Sequence, residues 1–325
     1  MPAYERPRVV ISRCLEFSAC RYDGQAIPYE LVTELTPFVE WIPVCPEVEI
    51  GLGVPRDPIR IIETDGEARL VQPSTERDLT DVMRGFTAEF LDGPGEIDGF
   101  ILKSRSPSCG IRDVKAFRSA AHASPDGTTR GFFGGAVVDR FPNSAVEDEE
   151  RLRNHAIREH FLTKLFARAR FRAVAASGSI RALADYHAHN ELLLTSYGRK
   201  HARELGRLIA SHEGNATTEL FEAYGAGLGR AMARTPRFAS NIDVMMHVAG
   251  LFSEQPSREE QALLQRELNR YRERRVPLST PLGLLKSWAA RFDDTYLRAQ
   301  SFLERYPEEL LPPGDSRQER VSSRP

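Results

Sequence analysis

Residues 99–110 read GFILKSRSPSCG, a short apolar run followed by a loop of Lys, Ser, Arg and Pro that ends on Cys109 and Gly110. An apolar run of this length next to turn residues predicts a buried strand, Gly99–Leu102. A loop of this composition suits close backbone approach rather than burial of apolar surface. The same pattern occurs twice upstream. Arg8–Ser12 (RVVIS) predicts a strand closely followed by Cys14, and Trp41–Val44 (WIPV) a strand followed at once by Cys45. A fourth strand is expected over Gly135–Val138. Between them the spacing predicts helices over Tyr29–Val39, opened by Pro28, and over Ser74–Leu91, with Ser74 as N-cap. Strands alternating with helices through long connections imply a mostly parallel sheet covered by helices. In such sheets ligands bind at the carboxyl ends of the strands, which is where Cys14, Cys45 and Cys109 would then fall.

The second half reads differently. Pro142–Glu150 is the expected junction, with Asn143 or Ser144 capping a new helix and Glu147 placed as in a capping box. Ile157, Phe161, Leu165 and Ala169 recur every four residues and mark one helix face. Further helices are expected over 180–212, 216–234, 240–253, 257–275 and 281–305. The expected organisation is an α/β domain over residues 1–146, an all-α domain over 147–311, and a disordered tail over 312–325, where Pro, Gly, Ser and Arg dominate.

A chain of 325 residues with 41% hydrophobic and 28% charged residues is ordinary for a globular protein of two domains. No apolar run approaches the roughly 18 residues that a membrane span requires. The N-terminus MPAYERPRVV lacks the apolar core of a signal peptide, so a cytoplasmic, reducing location is expected. The net charge of −2 conceals a division. Residues 1–150 hold 16 Lys and Arg against 26 Asp and Glu, whereas the remainder holds 28 against 20. An acidic half joined to a basic half suggests that the basic half meets a polyanion, although a charged helical domain can come out basic for no such reason.

All four cysteines (Cys14, Cys20, Cys45 and Cys109) lie in the first 110 residues. In a reducing compartment such residues serve more often as metal ligands or reactive thiols than as disulfides. Three thiolates could hold a cubane iron–sulfur cluster and leave one iron open as a Lewis acid. The bare spacing contains no CxxC pair and favours a zinc site built from all four, or unligated core cysteines.

Taken together, Cys14, CRYDG (Cys20–Gly24), VCPE (Val44–Glu47), the Gly51, Gly53, Pro55, Arg56 run and LKSRSPSCG (Leu102–Gly110) resemble the thiouracil desulfurase (TudS-like) domain. The segment LADYHAHNELLLTSYGRKHARELGRLIA (Leu183–Ala210) is similar to the helical YbgA-like domain. The pair resembles the RudS-type desulfidases, which remove sulfur from 4-thiouridine in tRNA. The resemblance implies a [4Fe–4S] cluster held by Cys14, Cys45 and Cys109, with the fourth iron free to take the substrate's sulfur. It implies catalytic assistance from Glu47 and from a serine of the 103–110 loop, for which Ser104 is taken. Cys20 matches no family ligand. Arg21, Asp23, Lys103, Arg105 and Ser108 are candidate substrate contacts. The chain departs from the frequent CLLG pattern, since Leu15, Glu16 and Phe17 follow Cys14. The implied reaction is hydrolytic desulfuration of a thiolated pyrimidine, with free thiouracil or a thiolated nucleoside as the alternative substrate. A non-enzymatic RNA-binding protein with structural zinc is the alternative of another class.

In the basic half, Arg199, Lys200, Arg203 and Arg207 fall at helical spacings, and Arg266, Arg270 and Arg274 recur every four residues. Such stripes can follow RNA phosphates; Glu267 and Glu273 equally fit a solvated helix face. His155, His160, His187 and His189 form no recognised metal motif and are read as structural.

Overall fold

The computed structural model describes residues 4–311 apart from 65, 94, 122–123, 212–216 and 253–254. The tail expected over 312–325 lies outside the described residues. Two compact units are present: Arg6–Arg153, and the residues from Asn154 onward together with Tyr4 and Glu5.

The first unit contains strands β1 (Arg8–Ser12), β2 (Glu40–Val44), β3 (Arg60–Thr64), β4 (Glu67–Gln72), β5 (Arg77–Asp78), β6 (Gly99–Leu102), β7 (Val114–Phe117), β8 (Gly127–Thr129) and β9 (Ala145–Asp148). Its helices are α1 (Glu30–Leu35), α2 (Pro46–Glu49), α3 (Thr80–Asp92) and α4 (Phe132–Arg140). One sheet runs in the order β2-β1-β6-β9 with every pair parallel. Its central strands are apolar because both faces are covered: Val9, Val10 and Ile11 of β1 and Phe100, Ile101 and Leu102 of β6 have no solvent exposure. The second sheet, β5-β4-β3-β7-β8, is antiparallel except for the β3–β7 pair.

Three sequence expectations are corrected here. Gly135–Val138 lies within helix α4, because Gly131, Gly134 and Gly135 allow that segment to pack closely against neighbouring backbone and side chains. Helix α3 starts at Thr80 rather than after Ser74: the chain first pairs β5 with β4, and Ser74 instead hydrogen-bonds Asp57. The helix expected from Ser144 is β9, whose Ala145–Asp148 pair in register with Gly99–Leu102.

The second unit is entirely helical among the described residues. Its helices are α5 (His155–Ser177), α6 (Ile180–Tyr197), α7 (Arg199–Ala210), α8 (Thr217–Ala231), α9 (Phe238–Leu251), α10 (Arg258–Arg272), α11 (Ser279–Arg291) and α12 (Thr295–Ala299). Side-chain caps fix several starts. The Asn154 carboxamide accepts from the amides of Ala156 and Ile157, and Ser257 with Glu260 forms a complete capping box. The segment expected as one helix over 180–212 breaks at Gly198 into α6 and α7. Two apolar clusters hold the bundle, one around Met245, Val248 and Leu285, the other around Leu183, Tyr224 and Met232. No helix among the described residues is long and apolar enough to cross a membrane.

His160 on α5 is a structural histidine: its Nδ1 lies 2.8 Å from the Tyr197 hydroxyl. Burial, followed by the positive charges of Lys164 and Arg305, lowers its pKa to about 4. The unfolded chain therefore takes up a proton near pH 6.5 that the folded chain refuses, so this contribution is complete above pH 6.5 and is lost as pH falls towards 4. We expect His160→Asn to remove at most about 3 kcal/mol of the stability difference between pH 7.5 and pH 4.5, measured by urea unfolding. An unchanged pH dependence would contradict the assignment.

Candidate active site

The loops leaving the carboxyl ends of β1, β2 and β6 close on one cavity of about 270 Å³, lined by Cys14, Cys20, Cys45 and Cys109. All four thiols are free and buried. Cys45 directly precedes α2, with Pro46 at the first helical position and Glu47 in the first turn. Cys109 is fixed by its own loop: the Ser106 hydroxyl accepts from the amides of Ser108 (3.3 Å) and Cys109 (3.1 Å). The loop rests on the start of α4, where the amides of Phe133 and Gly134 both donate to the Ser108 carbonyl at 2.9 Å. This approach requires glycine. A Cβ at Gly134 would stand 2.3 Å from the Cys109 carbonyl oxygen, and one at Gly131 would stand 2.6 Å from that of Ser108.

The electrostatics separate the thiols. Burial pushes Cys45 up to about 12 and Cys109 up to about 11. Cys14 is raised as well, first by its hydrogen bond to Cys20 and then by burial. Cys20 moves the opposite way: hydrogen bonds from Cys14 and Cys45 and the charges of Arg13 and Arg56 favour its thiolate. The sequence reading set Cys20 apart from the ligands, yet the structure brings it into contact with two of them. Cys20 returns to the site because the Ile27 amide donates to the Cys14 carbonyl at 2.8 Å and closes the intervening loop.

Glu47 is the best-held acid at the cavity. Arg56 donates from Nε (2.8 Å) and lies 2.6 Å away through Nη2, both to Oε2, and the Ser108 hydroxyl donates to Oε1 at 2.7 Å. The Arg56 and Glu47 side chains are only 4% and 13% exposed. Arg56 also donates from Nη1 to the carbonyls of Cys20 (3.0 Å) and Gly53 (2.9 Å), so one guanidinium ties the Cys20 loop and the 51–56 turn to the carboxylate. The sequence showed Arg56 only as part of a motif, without this role.

Ser104 lines the cavity, but its hydroxyl and amide are spent on Glu149, at 2.8 and 2.7 Å. Lys103 Nζ meets the same carboxylate at 2.5 Å. The serine that faces Glu47 is Ser108, not Ser104. Ser12, which the sequence did not single out, hydrogen-bonds Cys109. Among the expected substrate contacts, Arg21, Lys103, Arg105 and Ser108 line the cavity and Asp23 does not. Asp23 instead pairs with Arg21 at 3.4 Å and accepts from the Gln25 amide. Arg105 pairs with Glu150 at 3.0 Å.

Among the described residues no three His, Cys, Asp or Glu side chains converge tightly enough to hold a single metal ion. A polynuclear cluster makes a different demand, since each thiolate binds its own metal atom and the ligands need only ring a cavity. The donor set fits such a group: soft sulfur ligands, no imidazole, and buried thiols whose ionisation requires a nearby positive centre.

In the second unit, Lys200 on α7 lies 3.8 Å from Glu204, whereas Arg199, Arg203 and Arg207 form no ion pair among the described residues. The expected Arg266–Arg270–Arg274 stripe is engaged. Arg266 and Arg270 share the buried Glu267, and Arg274 lies over the Phe238 ring at 5.0 Å.

Four thiols at the strand ends of a parallel sheet, beside a clamped carboxylate, define a thiol-lined α/β site. The 2-thiouracil desulfurase family model matches residues 9–149, and a family of unknown function, DUF1722, matches residues 191–307. The uncharacterized protein YbbK of Bacillus subtilis (strain 168) is 34% identical over 110 residues, 31% of this chain and 72% of that protein. The uncharacterized protein YbgA of Escherichia coli (strain K12) is 26% identical over 148 residues, 45% of this chain and 88% of that protein. A solved structure, the [4Fe-4S]-dependent thiouracil desulfidase TudS, is similar at 27% identity over 46% of this chain and 94% of that chain, with a TM-score of 0.36. The chain belongs to the 2-thiouracil desulfurase family, with a DUF1722 segment following the matched part.

The glycine contacts give a direct test. Gly134→Ala should lower unfolding stability by about 1–3 kcal/mol, because the atom it meets is backbone and cannot step aside. Gly85→Ala, on an open face of α3, should raise stability by about 0.5–1 kcal/mol. Equal effects of the two in thermal unfolding would refute the tight seating of the Cys109 loop.

Proposed function

We propose that the protein is an iron–sulfur-dependent desulfidase that converts a thiolated pyrimidine and water into the oxo-pyrimidine and hydrogen sulfide. The substrate proposed is 4-thiouridine in transfer RNA. The observation that carries this reading is the convergence of Cys14, Cys45 and Cys109 with Glu47 on one cavity, inside the stretch that matches the family. Those three cysteines would hold a [4Fe–4S] cluster, with Cys20 beside them. When bound, such a cluster supplies a thiophilic Lewis acid that makes the thiocarbonyl carbon more electrophilic.

The remaining work falls to the chain. Arg56 occupies Oε2 of Glu47, which leaves Oε1 as the carboxylate oxygen facing Ser108 and the cavity. Water adding to the ring carbon gives one proton to Oε1, directly or through the Ser108 hydroxyl; that proton, and the second released from the new hydroxyl as the carbonyl forms, leave with the departing sulfur as hydrogen sulfide. The reaction is a hydrolysis with no net redox change. Lys103 and Ser104, joined through Glu149, fix the start of the loop that presents Ser108 and Cys109. The second unit would bind the RNA, and Arg199, Arg203 and Arg207 on α7 remain available for phosphates.

Glu47→Gln keeps the size of the side chain and removes the base. It should lower sulfide release from thiolated RNA by about 10²–10⁴-fold while the visible absorbance of the bound cluster persists. Full turnover in this variant would remove Glu47 from the mechanism. Greater sulfide release from free 2-thiouracil than from 4-thiouridine-containing transfer RNA, at equal concentration, would overturn the choice of substrate.

A further inference from the structure

The four thiols that line the cavity of the first unit are each 8% exposed or less, so a substrate arriving from solvent meets other lining residues first. Tyr22 is the one aromatic side chain among the described residues that line this cavity, and it is 45% exposed. Its hydroxyl makes no hydrogen bond among the described residues. The backbone beneath the ring is nevertheless held. The Gly24 amide donates to the Arg21 carbonyl at 3.0 Å and closes a turn with Tyr22 and Asp23 at its centre, which Gly24 completes with a φ of +73°. The Arg56 amide donates to the Tyr22 carbonyl at 2.8 Å. Arg56 is also the residue whose guanidinium clamps Glu47, so its two ends fix the aromatic turn and the acid relative to each other. The Arg21 guanidinium carbon lies over the Tyr22 ring, 5.5 Å from its centroid.

We propose that Tyr22 determines specificity for the substrate ring by stacking on the flat face of the pyrimidine at the cavity mouth, while Glu47 works at the ring carbon. The identity of that ring rests on the desulfidase reading above. A pyrimidine is flat and uncharged, so its largest recognition surface is its π-face, and an exposed ring on a fixed turn offers the matching surface. The other strongly exposed liners do not: Arg105 is paired with Glu150, and Pro58 carries no π system. Stacking on a base is worth roughly five- to hundredfold in affinity and tolerates exchange of a ring substituent. Tyr22 therefore holds the thio substrate and the oxo product alike, a uniform binding that lowers KM and leaves kcat unchanged. A base within RNA reaches this platform only after leaving its own stack.

The test uses the anaerobically purified full chain and two probes. Uridine carries the ring without its sulfur, so its binding, measured by equilibrium dialysis, does not depend on turnover. The nucleoside 4-thiouridine gives KM and kcat through sulfide release. Tyr22→Ala should raise the uridine Kd and the 4-thiouridine KM together by about tenfold, with kcat within about threefold of the parent. Tyr22→Phe keeps the π-face and should restore both to within about twofold. Tyr296→Ala, which removes an equally exposed aromatic side chain from α12 of the second unit, should leave the uridine Kd unchanged. An unchanged thermal unfolding midpoint and unchanged visible absorbance confirm that each variant folds and loads. An unchanged uridine Kd in Tyr22→Ala would overturn the proposal. So would a fall in kcat with Kd and KM intact, which would assign Tyr22 to the shape of the loop, or a failure of Tyr22→Phe to restore binding, which would assign it to its hydroxyl. Absence of sulfide release from every thiolated pyrimidine, free or in RNA, would remove the desulfidase reading and leave the uridine result standing.

Discussion

A cysteine ligates metal as a thiolate, and burial opposes its ionisation. That conflict governs the first unit. Cys45 and Cys109 are driven upward by burial at the mouth of a parallel sheet, Cys14 rises with them, and Cys20 alone is drawn towards the thiolate by its neighbours. A positive inorganic centre in the cavity would relieve the conflict for Cys14, Cys45 and Cys109 together. The architecture around the thiols is built to keep them there: three strand ends supply the loops, and glycines allow the Cys109 loop to rest on the start of α4. Arg56 links the Cys20 loop, the 51–56 turn and Glu47.

The Arg56–Glu47–Ser108 chain shows how position divides labour among similar groups. Two carboxylates meet serines of the 103–110 loop, Glu149 at Ser104 and Glu47 at Ser108. Glu149 is buried and answers to the loop's own amide, hydroxyl and ammonium donors, so it serves the shape of the loop. Glu47 keeps one oxygen for Arg56 and the other for the Ser108 hydroxyl, and of the two it is the carboxylate that lines the cavity. A buried ion pair of this kind is costly to break from one side, which makes the orientation of Glu47 stable without demanding a rigid backbone.

Much of the fold was legible because the central strands are apolar on both faces. Arg8–Ser12 and Gly99–Leu102 are read with their correct ends, and the helical half follows from its four-residue periodicity and caps. Sequence fails where partners are distant or a residue type has two uses. Gly134 and Gly135 next to Ala136, Val137 and Val138 look like strand; their glycines serve a helix that approaches the Cys109 loop closely. The acidic run 147–150 resembles a helix start, and only β6 makes Ala145–Asp148 a strand. The thiol cluster was foreseeable from cysteines after strands, but the choice among Ser104, Ser106 and Ser108 turns on contacts 45 and 61 residues away in sequence. Charge spacing likewise marked the 266–274 stripe, although Glu267 and Phe238 occupy it.

The central claim is that buried thiols from three loops grip one polynuclear iron–sulfur group. Iron and acid-labile sulfide analysis of the anaerobically purified full chain, with zinc measured on the same sample, tests it most directly. The account predicts about four iron and four sulfide per chain, as a cubane requires, with both lost when Cys14, Cys45 or Cys109 is replaced by serine. One zinc per chain with no inorganic sulfide, or iron that survives those replacements, would contradict it.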